Sequence, residues 1–148
     1  MAQWALEDWQ RASGGKLKLE KIADIKKANI RVHWVGANQG LYGEARFFQE
    51  ENLIGAEVYV DVANADRSDA LLRDTIVYLT CLHETGHAIG LPHTDQFPDI
   101  MYSFQFGGDI PEYFGRFRKK LTTRADIAKT SAISPNDQQR LLVALSRY

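Results

Sequence analysis

Eleven residues, His83 to His93, read H-E-T-G-H-A-I-G-L-P-H and hold three of the chain's four histidines. They constrain the fold more than any other stretch, because they call for a helix that ends abruptly. His83 and His87 are four residues apart, so a helix sets both imidazoles on one face. Upstream, Leu71, Leu72, Ile76, Leu79 and Leu82 form an apolar stripe of helical period that begins at Ser68 or Asp69, with Asp69 at the positive end of the macrodipole. The helix is predicted to run through His87 and to stop at Gly90, a residue that tolerates a left-handed backbone. Leu91 and Pro92 then bring His93 round as a third nitrogen.

Three neutral imidazoles leave one tetrahedral position for water, the arrangement of a catalytic rather than a structural zinc site. Glu84 is rotated about 100° from His83 around the helix. It therefore lies beside the ion, where a general base belongs. The chemistry implied is hydrolysis: zinc acidifies a bound water and polarises a carbonyl, and Glu84 passes the water's proton to the leaving group. A lone H-E-x-x-H arises by chance in many proteins, and histidines at an ordinary helix end are the bland alternative. Gly90, His93 and the helical context must all coincide for chance to produce the whole pattern.

At 148 residues the chain is one domain long, and it carries 45% apolar and 25% charged residues. A net charge of −1 gives no argument for a nucleic-acid partner or an acidic membrane surface. No apolar run suggests membrane insertion, and the amphipathic N-terminus does not read as a signal peptide. Cys81 has no cysteine to pair with. It sits about 200° round the helix from His83 and is expected to face the core as a packing residue. The compartment stays open.

The remaining elements follow from periodicity. Trp4, Leu6 and Trp9 mark a first helix, stopped at Ser13-Gly14-Gly15. Leu17 and Leu19 alternate with charges, predicting a strand from Leu17 to about Lys21. Ile30–Val35 is a second strand, Gly36 to Gly43 is turn-rich, and Ala45–Phe48 is a short extended piece. After Gly55, Val58, Val60 and Val62 share one face of a further strand. Residues 91–133 read as irregular, with a short helix near 111–120. Ser134 and Pro135 start a final helix that buries Leu141, Leu142 and Leu145. No repeat or linker interrupts the chain, so residues 1–148 are expected to form one α+β domain. Its subdomains are expected at about 1–92 and 93–148.

The long pattern H-E-x-x-H-x-x-G-x-x-H resembles the signature of the metzincin zinc endopeptidases. Asp99-Ile100-Met101-Tyr102 resembles their Met-turn. Thr94 after the third histidine, the M-Y pair, I-S-P-N-D-Q-Q-R-L-L, G-L-Y-G-E-A-R-F-F and G-A-E-V-Y-V-D-V are similar to matrixins, the matrix metalloproteinase family. The resemblance implies a zincin-like fold: a twisted mixed sheet with an active-site helix and a C-terminal helix. It implies one catalytic zinc on His83, His87 and His93, Glu84 as acid and base, and Met101 beneath the imidazoles. An extended polypeptide substrate would lie antiparallel to an edge strand at Glu44 and Ala45, with Tyr102 and Phe104 lining an apolar pocket. A monomer is expected, and a secreted or cell-envelope location is favoured.

Departures from the pattern carry information too. Only His33 precedes the helix, so a second, structural zinc is expected to be absent. Calcium is weakly supported: Asp61 fits, but Tyr59 stands where a histidine ligand is expected. Ser103 replaces the tyrosine ligand of some metzincins. No propeptide cysteine precedes the domain, and the family's first strand is missing, as in a shortened domain or a piece of a longer chain. The basic cluster Arg116, Arg118, Lys119 and Lys120 either attracts acidic substrate residues or is a solvated loop. The competing reading is a zinc-binding interaction domain with little or no proteolytic activity. The missing strand favours that reading, and Glu84 speaks against it because a structural site needs no such carboxylate.

Overall fold

Helix α1 spans Ala2–Ala12 and ends where Ser13 caps it and Gly14 and Gly15 take φ of +61° and +83°. The computed structural model describes residues 1–36, 42–63 and 69–147. The face of α1 that carries Ala5, Asp8 and Trp9 is buried. Trp9 is 0% exposed, and its indole N–H donates to Leu82 O at 2.9 Å.

The strand expected over Leu17–Lys21 does not form. The side chains at the end of α1 take the backbone donors that a ladder would use. Leu17 N–H donates to Ser13 Oγ at 3.0 Å and Leu19 N–H to Gln10 Oε1 at 2.9 Å. Of the two leucines, only Leu17 packs against the core. Alternation without a buried face holds no strand in place.

Three strands make a mixed sheet in the order β1-β3-β2: β1 (Ile30–Val35), β2 (Gly43–Glu50) and β3 (Leu53–Asp61). β1 runs parallel to β3, and β2 runs antiparallel to it through a two-residue turn with Glu51 at φ +49°. The expected extended piece at Ala45–Phe48 is therefore the middle of a longer strand. Val58 and Val60 are buried as expected. Val62 is not, because β3 ends at Asp61 and leaves Val62 42% exposed. Most of the turn-rich stretch before Gly43 lies outside the described residues, as does Ser68.

Helix α2 (Ala70–Ala88) starts at Asp69, whose carboxylate accepts the N–H groups of Leu71 and Leu72, both at 2.9 Å. From Thr75 to Leu82 every residue is buried, so this is a central helix rather than one with a single apolar stripe. The sheet covers it on one side and α1 on another. Leu71 and Leu72 are only half-buried. Cys81 faces the core, and burial raises its thiol to about 12.

Helices α3 (Ile110–Arg118) and α4 (Pro135–Leu145) follow, with a 3-10 turn over Arg124–Lys129 between them. Ser134 and Asp137 make a reciprocal capping box at the start of α4. Leu141 is fully buried, while Leu142 and Leu145 are half-buried. The fold is α+β, and no described helix is long and apolar enough to cross a membrane.

Candidate metal centre and cleft

The end of α2 is a paired hydrogen-bond turn. Leu91 N–H reaches back to Gly86 O at 3.0 Å, Gly90 N–H to His87 O at 2.8 Å, and Gly90 takes φ +94°. This is the Schellman closure that a glycine at that place favours. It reverses the chain and carries His93 back over the last turn of the helix. His93 Nε2 then lies 3.2 Å from His83 Nε2 and 3.0 Å from His87 Nε2.

The tautomers follow from the carbonyls. His83 Nδ1 lies 2.7 Å from Ile100 O and His87 Nδ1 lies 2.8 Å from Leu91 O. A carbonyl only accepts, so each Nδ1 carries the proton and each Nε2 presents a lone pair. Lone pairs of three imidazoles brought this close are ready to share one cation. Nitrogens on a tetrahedral zinc at about 2.0–2.1 Å stand about 3.3 Å apart, close to the spacings here. The donor set fits zinc. Burial also holds the imidazoles neutral, taking His83 down to about 3 and lowering His87 and His93. Among the described residues this is the one group of three or more such side chains able to share an ion.

Met101 is fully buried and packs against α2 at Gly86. Gly86 makes room for it: a methyl on Gly86 would collide with Met101 Sδ and stand 3.0 Å from the Trp9 ring. The turn around Met101 is held from both sides. Thr94 N–H donates to Met101 O at 2.9 Å, pairing it with the segment that carries His93. From α4, the Asp137 carboxylate accepts Ile100 N–H at 2.7 Å and Met101 N–H at 3.3 Å. Asp99 returns the clasp, accepting from Ser134 Oγ and Asn136 Nδ2, both at 2.6 Å. Arg140 donates to Pro92 O at 2.7 Å and His93 O at 3.3 Å. One helix thus fixes both segments that follow α2.

Glu84 is 7% exposed and sits beside the triad. Burial, and then the nearby Glu44 carboxylate, raise its acid to about 8. Gly43 lets β2 approach it: a methyl there would fall 2.8 Å from Glu84 Cγ and 2.6 Å from Thr80 Cγ2. β2 is a sheet edge. Asp61 N–H donates to Tyr42 O at 2.8 Å, which makes Tyr42 and Asp61 a hydrogen-bonded pair. By alternation, the backbone groups of Gly43, Ala45 and Phe47 point out of the open edge. Ala45 therefore offers its backbone there. The Glu44 side chain instead pairs with Arg46 at 2.8 Å, and that contact lowers its pKa.

A cavity of about 440 Å³ opens between β2, α2 and the segment after Met101. The triad, Glu84, Glu44, Ala45, Tyr102 and Phe104 all line it, so every sequence-predicted site residue except Met101 meets in one place. His33 lies on β1, paired with Glu57 and stacked on Tyr59 at 5.0 Å. Asp61 is 3% exposed and accepts Ala63 N–H at 2.7 Å.

Gly43, Gly86, Asp137 and Arg140 were not predicted for the site. Asp137 was visible as part of a helix start, but its partners lie some forty residues upstream in sequence. Tyr113 and Phe114 also line the cavity. The basic cluster is partly engaged, with Arg116 donating to Phe97 O at 2.8 Å and Arg118 pairing with Asp69 at 3.1 Å.

No curated protein and no solved structure matches the chain. The matrixin family model does, over residues 1–109, from α1 through α2 and the turn around Met101. That span holds the sheet, the histidine run and the edge strand, and on this evidence the chain belongs to the matrixin family of zinc metalloproteases.

Proposed function

We propose that the protein is a zinc-dependent endopeptidase that hydrolyses internal bonds of extended polypeptides, with His83, His87 and His93 as ligands and Glu84 as acid and base. The observation that carries this reading is the convergence of three Nε2 atoms beside the buried Glu84 carboxyl group. Zinc held there supplies Lewis acidity toward a substrate carbonyl and toward water.

The chain's own residues do the rest. The outward backbone groups of Gly43 and Ala45 pair with an extended substrate as an added strand. That places a peptide carbonyl over the triad with Glu84 within reach. Glu84 takes a proton from the attacking water as its oxygen bonds to the carbonyl carbon, and delivers that proton to the amine nitrogen as the C–N bond breaks. Ile100 O and Leu91 O hold the two helix imidazoles in one tautomer throughout.

Zinc-loaded wild type incubated with a quenched peptide library should release fluorescence. Glu84→Ala, still binding zinc, should lose about 10²–10⁴-fold in rate. Equal rates, or no cleavage by either protein with zinc bound, would leave the interaction-domain reading standing.

A further inference from the structure

One wall of the cavity lies beyond the matrixin match. α3 begins after residue 109, yet it contributes Tyr113 and Phe114 to the lining. Both side chains are buried, at 6% and 4% exposed. Phe114 meets the Tyr42 ring edge-on at 5.0 Å. Tyr42 immediately precedes β2, so this contact joins the edge-strand side of the cleft to α3. Tyr113 meets Phe104 at 5.1 Å, and its hydroxyl donates to Asp99 O and Ile100 O at 3.0 and 3.2 Å. Ile100 O is also the carbonyl that orients His83. α3 is therefore tied to the edge strand, to the segment after Met101 and to the turn that positions a ligand.

Leu79 and Thr80 line the same cavity, about one turn of α2 before His83. We propose that Phe114, docked on Tyr42, is a specificity-determining residue. It shuts this end of the cleft, so the pocket beside the triad takes a small or medium aliphatic side chain and turns away a large aromatic one. This rests on the endopeptidase reading and names the substrate class of that same site. Interlocked buried rings do not retreat without leaving a void, and the wall of Leu79, Tyr113 and Phe114 offers an incoming charge no partner.

The test is a quenched peptide series that varies only the residue after the cleaved bond, as Ala, Leu, Phe or Trp. Zinc-loaded wild type should favour Ala and Leu by about tenfold over Phe and Trp. Phe114→Ala should bring the four within about threefold, and Phe114→Leu should fall between. Tyr42→Ala removes the other half of the same contact from a half-buried position, so it must relax selectivity even if Phe114→Ala fails to fold. Calorimetry of the same peptides on Glu84→Gln protein gives the ranking without turnover. Wild type that takes Trp as readily as Leu, or a ranking untouched by both the Tyr42 and Phe114 changes, overturns the proposal. Absence of cleavage together with an intact binding ranking would instead sink the endopeptidase reading alone.

Discussion

Gly86 shows how much a single position can decide. It stands between the two helix histidines, where any side chain would press into Met101 and Trp9, both fully buried. Gly86→Val should destabilise the protein by about 1–3 kcal/mol through overpacking. Because Met101 follows Ile100, whose carbonyl orients His83, displacing it should weaken zinc binding as well. Urea denaturation checks the first effect and zinc titration the second; unchanged stability would mean the contact is looser than the geometry indicates. His83, Glu84, His87 and His93 were all legible from their spacing, because one helix turn and one glycine set their relations locally. Gly86 was not, since its partners arrive from about fifteen residues downstream and from α1.

At the scale of elements, the start of α2 has a testable pH dependence. The backbone N–H of Leu72, then Arg118, hold the Asp69 carboxyl below its ordinary value. A depressed acid contributes stability that is fully present above its unfolded pKa and is lost as pH falls through the folded one. Asp69→Asn should therefore cost stability at pH 6, and the gap between variant and wild type should be smaller at pH 3, below the ordinary aspartate value. Chemical denaturation at the two values measures it, and a gap that stays constant would show that charge plays no part in the cap. Helices α1, α2 and α4 were readable because their caps and stripes are local. The failed strand at Leu17–Lys21 shows the limit: its alternation is real, but Ser13 and Gln10 claim its backbone donors before any sheet can. The reach of β2 to eight residues was hidden for a similar reason, because its partner β3 sets the length.

Across the whole molecule, several elements meet at the histidine triad. α2, the His93 segment and, through Arg140 and Asp137, α4 all converge on it. An ion that binds only the folded chain adds about 2.7 kcal/mol at a hundredfold excess over Kd, which corresponds to about 5–11 °C in a chain of this size. Adding a chelator should lower the thermal midpoint by that order, and His93→Ala should abolish the difference. The family, the metal-binding pattern and the candidate base were determined by sequence alone, because i, i+4 spacing and a helix-ending glycine act over a single stretch of chain. Tertiary structure decided the rest. Asp137 reaches the Met101 turn, Gly43 brings β2 against Glu84, and Phe114 meets Tyr42 across the cleft. Each of these joins residues dozens of positions apart, and such meetings depend on how helices and sheet pack, which no local pattern encodes.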